Sequence, residues 1–184
     1  MKKTNAVIAI LSAYFLVLSI NGFAQLRTDK STIPGTETLL TTAALSSQLL
    51  HDNAIVVSAY DVNSKALRDF KKNFKNVTNE VWYSVPGGYD AEFTEDDIKN
   101  SVVYNKEGRW EYTIQRYGED KLPDEIRSIV KSQYYDYSIS TVDEIHVDQK
   151  PIYIVHIQDK DSWKNVRVYD GEMTVIEDFN KKEK

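Results

Sequence analysis

Four stretches, NEVWYSV (79–85), GYDAEFT (88–94), NSVVYN (100–105) and RWEYTIQRY (109–117), decide the fold class of this chain. Each alternates apolar with polar residues, the mark of an antiparallel strand that faces a core on one side and water on the other. Pro86-Gly87-Gly88, a Glu95-Asp96-Asp97 corner and Lys106-Glu107-Gly108 separate them as turns. In the first stretch Val81, Tyr83 and Val85 share a face opposite Glu80, Trp82 and Ser84; in the second Tyr89, Ala91 and Phe93 oppose Asp90, Glu92 and Thr94. Trp110, Tyr112 and Ile114 share a face of the fourth and read as core.

Outward from this run, a helix is expected on each side of it. Over Asn63–Phe74, Ala66, Leu67, Phe70 and Phe74 make one apolar stripe, with Asn63 or Ser64 as cap and Lys65, Arg68, Lys71 and Lys72 on the wet side. The second helix opens at Leu122-Pro123-Asp124-Glu125, where proline costs no hydrogen bond and the acids suit the helix dipole. Its stripe is Ile126, Ile129, Val130 and Tyr134. Strands then follow in YSISTVDEIHV (137–147), PIYIVHIQD (151–159), WKNVRVY (163–169) and MTVIEDF (173–179). Tyr89-x-Ala91-x-Phe93 matches Tyr153-x-Val155-x-Ile157, and Val103-Tyr104 matches Val168-Tyr169. The expected fold is therefore α+β and two-layered: tandem helix-plus-four-stranded antiparallel sheet units, α-β-β-β-β repeated, over residues 61–121 and 122–184.

The start of the chain reads as an export leader. Lys2 and Lys3 precede an apolar run from Ala6 to Ile20, and Gly22-Phe23-Ala24 places small residues where signal peptidase cuts. The run is shorter than the ~20 residues a spanning helix needs. Residues 1–24 are thus expected to be removed, leaving no inserted segment, and residues 25–60 read as a polar tether with a weak helix from about residue 37. The address implied is periplasmic or secreted. With no cysteine in the chain, there is neither a lipid acceptor after the leader nor a disulfide, and core burial alone must hold the fold. The net charge of −5, with no basic patch interleaved with aromatics, argues against nucleic acid as a partner.

An amphipathic helix ending in Phe74, Val81-Trp82, Gly88-Tyr89-x-Ala91-x-Phe93, Val103-Tyr104-x3-Gly108, Leu122-Pro123, Tyr153 and Asp170-Gly171 together resemble the exported PepSY-like, beta-lactamase-inhibitor-like domains, over residues 62–180. The resemblance implies tandem helix-on-sheet units and a non-enzymatic role. PepSY domains are associated with restraint of peptidases, and the namesake inhibitor grips its target with a concave sheet face. This chain departs from that inhibitor in having no disulfide.

Chemistry is sparse. There is no cysteine nucleophile, G-x-S-x-G elbow, H-E-x-x-H pair or glycine-rich phosphate loop. His146 and His156 lie on neighbouring expected strands, with Asp148 or Asp159 as a conceivable third ligand, but no metal-ligand spacing supports a site; His51 stands apart. Glu92, Glu95, Asp96 and Asp97 read as a solvated turn and lack the order of a calcium loop. No cofactor, metal or catalytic residue is expected. Twelve Tyr and three Trp are the more telling feature. Trp82, Tyr104, Trp163, Arg167 and Tyr169 are expected to line one outer sheet face, since Trp, Tyr and Arg carry interface energy when they cluster. The favoured function is an exported binding or inhibitory module acting on a protein or peptide, a peptidase or other envelope enzyme among the candidates. The alternatives are a structural or envelope-stress accessory protein without a tight partner, and a small hydrolase. For the leader, mass spectrometry of the exported protein should find Gln25 at the N-terminus, and retention of residues 1–20 in a membrane fraction would refute the cleavage.

Overall fold

The computed structural model describes residues 54–147 and 150–180. The leader, the tether, His51, Asp148 and the lysine-rich tail lie outside them. Nine strands form one antiparallel sheet in simple sequence order. They are β1 (Ile55–Val57), β2 (Thr78–Val85), β3 (Gly88–Glu95), β4 (Ile98–Asn105), β5 (Trp110–Tyr117), β6 (Ser138–His146), β7 (Ile152–Gln158), β8 (Ser162–Tyr169) and β9 (Glu172–Asn180). Helix α1 (Ser64–Asn73) lies between β1 and β2, and α2 (Asp124–Gln133) between β5 and β6.

This corrects the expected tandem of two four-stranded units. The sheet does not stop at β5. It continues through β5–β6 pairing from Thr113↔His146 to Tyr117↔Val142, so the described residues form a mostly-β single sheet with two ten-residue α-helices. A ninth strand, β1, joins at the edge by pairing Val57 with Trp82. Its three residues were too few to show a period. Among the described residues no helix is long and apolar enough to cross a membrane.

Local chemistry explains the elements. Asn63 caps α1 by accepting from Lys65 N–H at 2.9 Å, and Pro123 precedes α2 with Asp124 and Glu125 in its first turn. The β3–β4 turn holds Asp96 and Asp97 at φ of 51° and 63°, the left-handed pair that matches a hairpin's twist. Gly108 in the β4–β5 turn has φ of 74°, and a Cβ there would lie 2.7 Å from Asn63 Oδ1 and 2.8 Å from Ala66 N. Only glycine lets this turn sit against the start of α1.

Both helices cover the same sheet face. Under α1, Ala66 and Phe70 meet Trp82, Ala91, Phe93, Val102 and Tyr104. The Phe70 ring lies 5.2 Å from Trp82 and 5.0 Å from Phe93, and Phe74 lies 4.7 Å from Phe93. Under α2, Leu122, Ile126, Ile129 and Val130 meet Tyr117, Val142, Tyr153, Val155, Val166 and Val168. Between these two cores the same face turns polar: Gln115 Nε2 donates to Asn100 Oδ1 at 3.0 Å, and Tyr117 OH donates to Glu144 Oε2 at 2.5 Å. Phe70 is 1% exposed, so Phe70→Ala should cost about 3–5 kcal/mol in denaturant unfolding, with a smaller loss at the half-buried Phe74. A Phe70 loss near the ~0.5 kcal/mol surface value would mean that α1 is not docked there.

Candidate functional site

The second face of the sheet carries neither described helix. It is built from the residues that alternate with the two cores, and cross-strand register sets them in rows. One row runs Lys99–Arg116–Asp143–Ile154–Arg167–Thr174, and the next places Thr141, His156, Asn165 and Glu177 side by side. The polar members of these rows are bonded into a chain across five strands. Arg116 grips Asp143 with two hydrogen bonds, Nε to Oδ1 at 2.6 Å and Nη2 to Oδ2 at 2.9 Å. His156 Nε2 lies 3.1 Å from Asp143 Oδ2, and its Nδ1 lies 2.6 Å from Asn165 Oδ1. Asn165 in turn donates through Nδ2 to Glu177 Oε2. That last bond fixes the Asn165 amide, so both imidazole nitrogens face oxygen atoms.

Burial works against the ionised form of Asp143, but the hydrogen bonds from His156 and Arg116 outweigh it and hold the carboxyl below its usual range. Trp163 lies beside this chain, stacked on Phe179 at 3.9 Å between ring centres. A shallow groove of about 450 Å³ runs between them, lined by Arg116, Thr141, His156, Gln158, Trp163 and Asn165 among others. The arrangement offers a rigid polar ladder flanked by an aromatic wall, suited to recognition by contact.

The structure does not bring the five expected partner-binding residues together. Trp163, Arg167 and Tyr169 alternate along β8 on the second face, with Tyr169 37% exposed. Trp82 and Tyr104 are on the other face, 3% and 0% exposed beneath α1. Trp82 pairs with Ala91, whose small side chain leaves room for the indole, and its N–H is satisfied by Glu80 Oε1 at 2.7 Å. Tyr104 donates to Asp69 Oδ2 at 3.0 Å. The matched Val-Tyr pairs misled because Tyr153 follows Tyr89 by 64 positions and Tyr169 follows Tyr104 by 65. An odd offset turns every side chain to the opposite face, so Val168 is the residue in Tyr104's place. Trp110 also moves: a bulge between Val103 and Tyr104 pairs Tyr104 with Trp110 and Val103 with Tyr112, separating Trp110 from Tyr112 and leaving it 42% exposed.

Register also separates the two histidines, His146 onto the helix-bearing face and His156 onto the other, so they share no metal. Among the described residues no three His, Cys, Asp or Glu stand close enough to hold one. The Arg116–Glu177 chain escaped sequence reasoning because its members lie on five strands. The available signal was a charged or amide residue recurring between apolar neighbours, as in Val142-Asp143 and Val155-His156-Ile157.

No protein-family model and no curated protein matches the chain. Solved structures with the same fold do exist. One is described as a periplasmic protein from Bacteroides eggerthii, with TM-score 0.53 and 14% identity over 65% of this chain and 88% of that one. A DUF2874 family protein from Bacteroides ovatus superposes with TM-score 0.54 and 18% identity, covering 65% and 87%. A BLIP-like protein from Bacteroides fragilis gives 0.52 and 16%, covering 67% and 89%. What this chain shares with them is the fold.

Asp143 yields a pH prediction. A carboxyl whose folded pKa is depressed contributes stability above its unfolded pKa of about 3.9 and loses it as pH falls through the lower folded value. Acid unfolding should therefore steepen below about pH 4. Arg116→Met should destabilise by about 1–3 kcal/mol, toward the lower end because Arg116 is half exposed. It should also raise the Asp143 titration midpoint read by carboxyl NMR. An unmoved midpoint would mean that the pair carries no weight.

Proposed function

We propose that this protein is an exported, non-enzymatic binding module that engages a protein or peptide partner through the second face of its sheet. The observation that carries this reading is the alignment of Trp163, Arg167 and Tyr169 along β8 beside the ordered Arg116–Asp143–His156–Asn165–Glu177 chain. Large aromatics and arginine clustered on a pre-organised surface are what interfaces spend their energy on, and a fixed polar ladder lowers the ordering cost of binding. Neither Trp82 nor Tyr104 belongs to the proposed surface. Export rests on the leader sequence, and the B. eggerthii structure of the same fold is described as periplasmic. The BLIP-like description of the B. fragilis structure accords with an inhibitory mode, in which the partner is a peptidase or another envelope enzyme, as for PepSY-type restraint.

The test is site-specific photo-crosslinking in the envelope of the source organism. A photoreactive residue at position 163 or 169 should trap a discrete partner that one at Tyr135, exposed next to α2, does not trap. With that partner purified, Tyr169→Ala and Arg167→Ala should each weaken the complex by ~2 kcal/mol or more while leaving the unfolding midpoint nearly unchanged. Equal trapping at all three positions would sink the reading and favour an accessory protein without a tight partner.

A further inference from the structure

A second site lies on the opposite, helix-bearing face, at the end of α1, independently of the surface above. Asp69, Asn73 and Phe74 from α1 and its C-cap, with Trp110 and Thr113 from β5, line a cleft of about 330 Å³. That size is at the lower end of small-ligand sites. Among the described residues its one charged group is Asp69, which has no ion-pair partner there and whose side chain makes one hydrogen bond there, the 3.0 Å contact from Tyr104 OH to Oδ2. Tyr104 is fully buried, so a rigid donor anchors one carboxylate oxygen, and no other described residue bonds Oδ1.

The aromatic wall is likewise fixed. The Trp110 indole N–H donates to Thr113 Oγ1 at 2.9 Å, which pins the ring while 42% of the residue stays exposed. The bulge at Glu111 is what turns Trp110 to this side. Phe74 adds a second ring and the Asn73 amide a neutral hydrogen-bonding group. An unneutralised carboxylate repels anions, and a purely apolar ligand would leave it unpaired, at a cost. A positively charged nitrogen group satisfies all the walls at once, as a donor to the carboxylate and a cation against the π faces.

We propose that this cleft binds an organic cation, a guanidinium or ammonium group, between Asp69 and the Trp110 and Phe74 rings. The group can be a free small amine or the side chain of an arginine or lysine in a polypeptide.

The experiment follows the Trp110 indole N–H resonance of the purified protein during titration with methylguanidinium, with acetyl-Gly-Arg-Gly-amide and with the neutral isostere acetyl-Gly-citrulline-Gly-amide. The two cations should shift the resonance saturably, and the citrulline peptide should not. Tighter binding of the arginine peptide than of methylguanidinium assigns the occupant to a polypeptide side chain; equal binding assigns it to a small amine. Asp69→Asn, which keeps an acceptor for Tyr104, should weaken the arginine peptide at least tenfold by calorimetry. Trp110→Leu, at a half-exposed position, should weaken it severalfold without unfolding the protein. An unmoved resonance with both cations, an equal response to citrulline, or full affinity in Asp69→Asn would overturn the proposal.

Discussion

The joint between β5 and β6 is the constraint on which the rest of the molecule depends. Every other neighbouring pair from β2 onward is a hairpin that local turn chemistry can close, whereas this pairing must be made across the whole α2 crossover. Closing a long loop costs entropy before any contact repays it. The joint is held where that cost falls, by the bidentate Arg116–Asp143 bond on one face and by the buried Ile114, Ile145 and Ile152 in the adjoining row. Without it two short sheets would each expose an edge. With it, one sheet carries both described helices on a single side and presents the row from Lys99 to Thr174 on the other.

The same joint explains why the helix-bearing face is divided. The cores under α1 and α2 are separate clusters, and the sheet between them is surfaced by Asn100, Thr113, Gln115 and Glu144. Each helix is only ten residues long and covers the strands next to it. Asn100 and Thr113 are nonetheless buried there, and their side chains are bonded to Gln115 and Trp110, as buried polar groups must be. Trp110 stands at the margin of this seam, which is how an aromatic that reads as core becomes the wall of a cleft.

Much of this was legible. A stripe at helical spacing located both helices to within a residue or so, because amphipathic period and capping chemistry are local. Pro86-Gly87, Asp96-Asp97 and Asp170-Gly171 marked hairpins for the same reason. The continuity of the sheet was not legible, because partner choice between β5 and β6 is non-local. Nor was the side on which Trp82 lies. In β2 both faces are partly buried, so alternation shows that two faces exist but not which one the helix takes. Of the expected surface, Trp163, Arg167 and Tyr169 share a face, while the polar chain beside them depends on a register that no single strand contains.

The shared Val-Tyr pair has a consequence for how such sheets acquire new surfaces. Val103-Tyr104 and Val168-Tyr169 are the same two letters, yet one tyrosine is sealed in a core and the other meets solvent. A shift of one residue along a strand preserves every backbone pairing and exchanges the inner and outer sets of side chains. Core residues, selected only for size, can thus become exposed aromatics in a single insertion, provided that the vacated inner positions receive residues such as Val168 that fill them. The second face limits where that exchange is tolerated, because it has a packing demand of its own where Ile114, Ile145, Ile152 and Ile154 are buried.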